Sequence, residues 1–194
     1  MKFNKHLELE GQHALLAPST PYWLNYTEED LKRFQSTRLA ALKGTEDHAF
    51  AALAIARGQK LGGNSTIDIY VNDCIGFGMS PEVHLKYSDY CFGTADAICF
   101  KRKKLRINDL KTGVGKGNMN QLLIYAGLFC LEYKKNPHEF ETELRIYQYG
   151  ESTLYIPTKD ELAEVCDKII LQDRRLKKFE EDSFDVFRGR SDDR

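Results

Sequence analysis

Two aspartates, Asp96 and Asp109, are the residues whose types and spacing point most directly to chemistry. They lie in two segments of strand-like composition, residues 92–100 and 105–113, which are separated by the basic run KRKK. If these segments pair antiparallel about a turn at residues 102–103, opposed residues have numbers that sum to 205. Asp96 then faces Asp109, with Cβ atoms roughly 4.5–5.5 Å apart. Carboxylates at that spacing repel each other, and the usual solution in proteins is a divalent cation between them.

A lysine joins this pair of carboxylates. Because side chains alternate along a strand, Lys111 is expected to share one face of the hairpin with Asp96 and Asp109. The apolar residues of that face, nearer the turn, are Ile98, Phe100, Leu105 and Ile107. The sequence therefore predicts a buried stripe that ends in two carboxylates and one ammonium group, which does not neutralise both. A slip of one residue in the register would place the two aspartates on opposite faces.

The composition indicates a single domain over residues 1–194, with its core at about 44–150 and a C-terminal helix at 158–182. Apolar residues make up 42% of the chain, which is enough for a hydrophobic core. The formal net charge of −1 argues against a surface that is basic all round. Two local basic clusters, residues 101–104 and 174–178, are either solvated surfaces or contacts for a polyanion.

Cysteine and hydropathy patterns limit the compartment. The five cysteines are odd in number, widely spaced and mostly set in apolar runs, which is typical of reduced core thiols. No C-x-x-C motif occurs, which argues against a zinc ribbon and an iron–sulfur cluster. The N-terminus lacks the apolar region of a signal peptide, and no run approaches the roughly 18 apolar residues of a membrane span. We expect a soluble, cytoplasmic protein that does not bind membranes.

The segments before the hairpin supply further candidates. A helix is predicted over residues 28–42, and Gly44 and Thr45 are expected to end it and begin a second helix. The second helix carries His48 in its first turn, beside a face of small apolar residues. A histidine in this place is either a capping or core residue or a metal ligand.

The next two segments lead into the hairpin. Residues 66–75 fit both a helical and a strand pattern, and we predict a helix that Gly76 and Gly78 terminate. Residues 82–87 alternate as a half-buried strand, the first of a meander. That order brings Glu82 near the two aspartates, where it is either a metal contact or a surface residue.

The glycine-rich loop at residues 112–117 has a superficial likeness to a phosphate-binding loop. It does not fit the Walker A pattern, which requires glycine where Leu110 stands and serine or threonine where Gly117 stands. A flexible loop beside the charged strand end remains, and in it Lys116 is available to a phosphate group.

The rest of the chain completes an α/β pattern. A helix is predicted over residues 118–133, in which Gln121 and Tyr125 lie four residues apart and share a face. Strands are predicted at 141–149 and 152–156. Thr158 is expected to cap a final amphipathic helix, whose buried stripe is predicted to consist of Leu162, Val165, Ile169 and Leu176. The ends of the chain, residues 7–16 and 188–194, are expected to form an extended arm and a frayed terminus.

The order of these motifs resembles the PD-(D/E)XK nuclease superfamily, and within it the RecB-like and phage-type exonucleases. The resemblance covers about residues 44–130 and includes the stretches GTADAI, NDLKTG and QLLIY. The residues that match the family's aspartate, its D-x-K tripeptide, its Q-x-x-x-Y helix and its upstream histidine are Asp96, Asp109 with Lys111, Gln121 with Tyr125, and His48. Ala95 stands where the family name has proline, and the cysteines that some RecB-like members use for an iron–sulfur cluster are missing.

This resemblance implies a restriction-endonuclease-like α/β core, with a central mixed β-sheet flanked by helices, that cuts DNA with one or two Mg²⁺ or Mn²⁺ ions. The metal contacts that it implies are His48, Asp96, Asp109, the backbone carbonyl of Leu110, and Glu82 as an additional or outer contact. It implies that Lys111 orients or helps to deprotonate the attacking water. Gln121 and Tyr125 would position the DNA backbone or the lysine, and Lys116 would contact a phosphate.

Several functions remain open at this point. A phage-type exonuclease acting on duplex ends in recombination is preferred by family analogy over an endonuclease. The alternatives from other classes are a non-catalytic DNA-binding or assembly protein and a metal enzyme for a small phosphorylated substrate. Besides DNA, the partners to be considered are a single-strand annealing or recombination protein and a second copy of the chain. A phage-encoded protein would act in the cytoplasm of its host.

Overall fold

The fold is described by a computed structural model, which covers residue 14 and residues 16–189. The predicted arm at residues 7–16 and frayed end at 188–194 lie almost entirely outside the described residues. The helices and strands are α1 (Glu28–Arg57), α2 (Thr66–Phe77), β1 (Ser80–Lys86), β2 (Phe92–Lys101), β3 (Lys104–Leu110), α3 (Met119–Glu132), β4 (Glu141–Gln148), β5 (Glu151–Tyr155) and α4 (Lys159–Gly189). Short 3₁₀ helices occur at Pro21–Asn25 and Pro137–Glu139.

The chain divides into two compact units, residues 1–43 and 44–194. In the first unit, the indole of Trp23 donates a hydrogen bond to the Ala17 carbonyl, and the rings of Tyr26 and Phe34 are in contact. The second unit contains the sheet and every residue proposed above for chemistry. Helix α1 is continuous across the boundary, and the single domain expected from the length of the chain stays a prediction.

The sheet has five strands in the order β1-β2-β3-β4-β5. Neighbouring strands are antiparallel except β3 and β4, which are parallel and joined through α3. A parallel pair needs such a crossover, because a tight turn cannot return the chain in the same direction. The prediction of an α/β protein with a mixed sheet flanked by helices is confirmed.

The predicted register of the β2–β3 hairpin is also confirmed. Ala97 pairs with Asn108 and Lys101 pairs with Lys104, so opposed residues have numbers that sum to 205. The turn residues Arg102 and Lys103 have φ angles of 51° and 57°. Positive φ at both central residues is the requirement of a type I′ turn, which matches the twist of the flanking strands. Two bulky residues in this region make the turn strained.

Two hydrophobic cores cover the two faces of the sheet. We call one face the α2 face. Its core is formed by helix α2, by the part of α1 from Ala51 onwards and by the strand residues Ala97, Cys99 and Leu110. On the opposite face, which we call the α3 face, helices α3 and α4 pack on Leu85, Ala95, Ile98, Leu105 and Ile107. Each sheet face therefore carries a core that helices cover, as expected for a layered α/β protein.

A buried ionic cluster lies on the α2 face near the β2–β3 turn. The Glu143 carboxylate forms three ion pairs. Its oxygens lie 2.6 Å from Lys104 Nζ, 2.8 Å from Arg106 Nε and 3.0 Å from Arg145 Nη2. Both guanidinium groups also lie 4.9 Å from the centre of the Phe77 ring. Burial opposes ionisation of the carboxyl group, but the three cationic partners outweigh it and lower the pKa of Glu143 to about 2.

Some helix predictions are confirmed and others are wrong. The segment from Thr66 is a helix with a capping box at Ser65, and Gly78 ends it at φ 62°, whereas Gly76 lies inside the helix. Gly44 and Thr45 do not break the preceding segment, which is the single helix α1. A glycine inside a helix costs only about 1 kcal/mol, and a Cβ on Gly44 would come within 3.2 Å of Thr112 Oγ1.

The C-terminal helix begins as predicted, because the Thr158 hydroxyl accepts a hydrogen bond from the Glu161 amide. Leu162 and Ile169 are buried, and Val165 packs against the same core. Leu176 was expected in this stripe but is 48% exposed, since the helix continues past the end of the apolar core there.

Candidate functional site

A disruption of the strand alternation shapes the site. On β2, Ala95 belongs to the core of the α3 face, but Ala97, two residues later, belongs to the core of the α2 face. On β1 the same change occurs between Met79 and Val83, and Glu82 between them has a φ of 49°. Residues two apart in a regular strand share a face, so both strands reverse their sidedness where Glu82 lies opposite Asp96.

This reversal corrects one prediction from the sequence. Asp96 was expected to share the face of Ile98, but its Oδ2 atom lies 3.5 Å from Nδ1 of His48 on helix α1. Asp109, in the regular strand β3, keeps the predicted alternation and continues the α3-face series of Leu105 and Ile107. The two aspartates therefore approach one site from opposite faces of the sheet, and the simple stripe predicted from the sequence is wrong at Asp96.

His48, Glu82 and Asp96 form a compact donor set. One ligand atom from each of the three residues lies within 4.8 Å of the other two. His48 and Asp96 are half-buried, and Glu82 is exposed. Two carboxylate oxygens and an imidazole nitrogen are suitable donors for Mg²⁺ or, more readily with an imidazole, Mn²⁺. The structure thus brings His48 and Glu82 together with Asp96. For both, the sequence allowed a metal-binding role and a structural or surface role.

Strands β2 and β3 separate at this point. Their ladder ends at the pair Ala97 and Asn108, one step before Asp96 and Asp109 would face each other. In place of that pair, the Leu110 amide donates a 2.9 Å hydrogen bond to Asp96 Oδ2. The next amide, that of Lys111, bonds to the Tyr147 carbonyl on the other side. The parting of the strands leaves the edge of β2 open beside the donor set.

On the α3 side, a chain of polar contacts leads from Asp109 into helix α3. Lys111 Nζ donates to Asp109 Oδ1 at 3.1 Å and to Gln121 Oε1 at 3.3 Å. Gln121 Nε2 donates in turn to the Tyr125 hydroxyl at 3.4 Å. Gly93 makes room for this arrangement, because a Cβ there would lie 2.9 Å from Cε1 of the Tyr125 ring.

Asp109 is almost completely buried, at 2% exposure. Its Oδ2 atom accepts no hydrogen bond from the described residues, although Lys111 Nζ lies 2.9 Å away. A buried carboxylate oxygen without a hydrogen bond is costly unless a positive charge compensates it. This unsatisfied atom and the donor set of His48, Glu82 and Asp96 both fit a bound divalent cation.

Burial and the neighbouring carboxylates shift the pKa values of the site residues. The hydrogen bond to Asp96 raises the pKa of His48, against the effect of burial. Burial raises the pKa of Glu82, and the charge of Asp96 raises it further. Burial and the charge of Asp96 also raise the pKa of Asp109, although Lys111 opposes them. A cation bound between these carboxyl groups would favour their charged forms.

The loop after Lys111 is held in place by side chains of strand β4 and the turn that follows it. Gln148 Nε2 donates to the carbonyls of Gly113 and Gly115, and the Tyr149 hydroxyl donates to the Val114 carbonyl. Lys116 is exposed, and among the described residues it makes no hydrogen bond or ion pair. The structure therefore does not bring Lys116 into contact with the site residues.

The structure thus joins most of the residues proposed from the sequence. His48, Glu82 and Asp96 come together on one side, and Asp109, Lys111, Gln121 and Tyr125 on the other, with the Leu110 amide between them. Sequence reasoning missed Gly93 and the left-handed backbone of Glu82. For Gly93, the only signal in the sequence is a glycine within the strand that carries Asp96. For the backbone of Glu82 the sequence contains no signal.

Comparisons with known proteins give no independent assignment. The chain matches no protein-family model, and no curated protein is significantly similar to it. Among the described residues, no helix has the length and apolar character that are needed to cross a membrane.

Proposed function

We propose that this protein is a metal-dependent deoxyribonuclease with a restriction-endonuclease-like core of the PD-(D/E)XK type. The observation that carries the proposal is the meeting of two groups at the parted ends of β2 and β3. One is the donor set of His48, Glu82 and Asp96, and the other is the ammonium group of Lys111 between Asp109 and Gln121. A cation site beside a positioned lysine can activate water and stabilise the charge that develops when a phosphodiester is hydrolysed.

Asp96, Glu82 and His48 would hold a Mg²⁺ or Mn²⁺ ion, with Asp109 and the Leu110 backbone as further contacts. The ion would supply activation of a water molecule and neutralisation of charge on the scissile phosphate. Lys111 orients the attacking water and stabilises the charge that develops on the phosphate. Gln121 and Tyr125 fix the position of the lysine through their hydrogen bonds.

A small phosphorylated substrate fits the surroundings of Lys111 less well. The cavity that Lys111 lines together with Thr66, Thr112 and Tyr149 has a volume of about 220 Å³. Pockets for small ligands usually have roughly 300–1,000 Å³. Glu82 of the donor set is instead exposed at the surface, where an extended polymer can reach it, which favours a nucleic acid.

Within the nuclease proposal, an exonuclease acting on duplex ends is preferred over an endonuclease by analogy with the RecB-like and phage-type enzymes. A role in recombination or DNA processing in the cytoplasm, beside a single-strand annealing protein and as a monomer or homo-oligomer, belongs to the same analogy. An endonuclease and a non-catalytic DNA-binding protein are the alternatives that an assay must distinguish.

The test is incubation of linear and circular plasmid DNA with the protein and Mg²⁺ or Mn²⁺, with Lys111→Ala and Asp109→Ala beside it. We expect hydrolysis that EDTA abolishes and that either substitution reduces by at least about a hundredfold, the usual size of an acid–base or electrostatic contribution. Tyr133→Ala, at the far end of α3, is the matched control and should remain active. Hydrolysis that ignores EDTA or survives both site substitutions would refute the proposal. Degradation of linear but not circular DNA would identify an exonuclease.

A further inference from the structure

A row of side chains, exposed except for the half-buried Thr94, leads away from the donor set along the β1–β2 hairpin. Beyond Glu82 and Asp96 the next pairs are His84 with Thr94 and Lys86 with Phe92. Intervening residues such as Leu85 and Ala95 belong to the core of the α3 face, so these two pairs point to the opposite side. We call His84, Lys86, Phe92 and Thr94 the hairpin row.

The hairpin row is continuous with the site. Phe92, Thr94 and Asp96 alternate on one side of β2, and Phe92 lies about 13 Å along the strand from Asp96 at 3.3 Å per residue. About four stacked nucleotides at 3.4 Å each cover that distance. A strand that placed one phosphate at Asp96 would therefore lie over the row within a few nucleotides.

The chemistry of the row fits a single strand of nucleic acid. The Phe92 ring is 68% exposed, although large aromatic residues usually bury their area. Lys86, opposite it, has an exposed ammonium group whose partner among the described residues is the exposed carboxylate of Asp89. Such surface pairs contribute little and exchange readily for a phosphate. His84 Nδ1 contacts Thr94 Oγ1 at 2.8 Å, which fixes the ring and leaves Nε2 for an outer partner.

We propose that the hairpin row binds an unpaired DNA strand next to the scissile phosphate, with a base stacked on Phe92 and a phosphate on Lys86. This inference rests on the proposed nuclease function and specifies its substrate as single-stranded DNA or the frayed end of a duplex. Stacking on an aromatic platform requires the face of a base, which paired and stacked bases of an intact duplex do not offer. The row would therefore give a preference for unpaired ends.

The experiment measures binding of a short fluorescein-labelled oligothymidylate by anisotropy, with Mg²⁺ present and with Lys111→Ala as background to prevent hydrolysis. Adding Phe92→Ala should weaken binding about tenfold, which lies within the range measured for loss of one stacked base. Phe92→Trp, which keeps an aromatic face, should bind as the background does. Lys86→Ala should lower the slope of log affinity against log salt by about 0.7, the value for one phosphate contact on a single strand.

Leu154→Ala is the matched control, because Leu154 is also an exposed apolar residue, at 48%, but lies on β5, at the opposite edge of the sheet from β1. It should not change the affinity, and the melting temperatures of all variants should match that of the background. Equal affinities for Phe92→Ala and the background, or equal losses for Phe92→Ala and Leu154→Ala, would overturn the inference. If the wild-type protein hydrolyses DNA with metal and Phe92→Ala binds normally, the hairpin row alone fails. If the wild type neither hydrolyses nor binds DNA, the proposed function fails with it.

Discussion

Glu82→Gly is expected to stabilise the metal-free protein while it removes the response to metal. Glu82 has a φ of 49°, in the left-handed region that side chains with a Cβ avoid. Its carboxylate also belongs to the donor set with His48 and Asp96. Glycine adopts the same backbone without strain but offers no ligand. The two effects of one substitution therefore have opposite signs and can be separated.

The magnitudes follow from the two roles of Glu82. Relief of left-handed strain is worth about 1–2 kcal/mol, and the greater freedom of glycine in the unfolded chain removes about 0.5–1 kcal/mol of that. For a chain of 194 residues, a net gain of about 0.5–1 kcal/mol raises Tm by about 1–4 °C. Metal at a hundred times its Kd stabilises a native protein by about 2.7 kcal/mol, which corresponds to about 5–11 °C.

The assay is thermal unfolding with EDTA and with a series of Mn²⁺ concentrations. The wild type should show a large rise of Tm with Mn²⁺, and Glu82→Gly should show a higher Tm in EDTA but little further rise. Arg102→Gly is the matched control, since Arg102 has a φ of 51° in the β2–β3 turn, far from the donor set. It should gain stability in EDTA and keep the full metal response. A wild type without a metal response, or Glu82→Gly with the full response, would refute the assignment of Glu82 as a ligand.

Three further substitutions test the packing and charge of the fold. Glu143→Gln should cost on the order of 3 kcal/mol at pH 7, because the pKa of Glu143 falls from 4.5 to about 2 on folding. Because its pKa is lower in the folded state, ionised Glu143 stabilises the folded protein fully above pH 4.5. Urea titrations should therefore show that the difference in unfolding free energy between wild type and variant vanishes as the pH falls from 4.5 towards 2. A difference that stays constant with pH would contradict this. Gly93→Ala should displace the Tyr125 ring and slow hydrolysis up to about tenfold, the equivalent of one hydrogen bond between neutral groups, and an unchanged rate would disconnect Tyr125 from the site. Gly127→Ala should lower Tm by about 2–4 °C, because its Cβ would lie 2.8 Å from Cδ1 of Ile169, and an unchanged Tm would show that helix α4 can shift.

The parts of the fold that the sequence predicts correctly depend on local rules. The register of β2 and β3 follows from the turn at Arg102 and Lys103, and alternation on β3 then places Asp109 with the α3-face residues. The cap at Thr158 satisfies the amide of Glu161, only three residues away. Rules of this kind act within one or two turns or strands, so they can be applied without knowing the tertiary structure.

Predictions failed where distant contacts decide the local structure. Gly44 suggested a helix break, but it remains helical, and a Cβ there would lie 3.2 Å from Thr112 Oγ1, so a larger side chain would require this hydroxyl to move. Glu82 has no sequence feature that indicates a positive φ, since Gly, Asn and Asp are the usual residues there. The change of sidedness at Asp96 follows from that backbone and from the covering of the two sheet faces by different helices.

The reversal of sidedness at Glu82 and Asp96 explains how the carboxylate–histidine donor set and the ammonium group of Lys111 come to lie in one site. With regular alternation, Asp96 would point to the α3 face beside Asp109 and Lys111, and His48 on the α2 side could not reach it. The reversal turns Asp96 and Glu82 towards His48, while Asp109 keeps Lys111 within reach of Gln121 on α3. The Leu110 amide, bonded to Asp96, joins the two halves where the ladder ends. Because backbone strain and a broken ladder cost stability that a purely structural sheet would keep, the arrangement is best understood as a functional one.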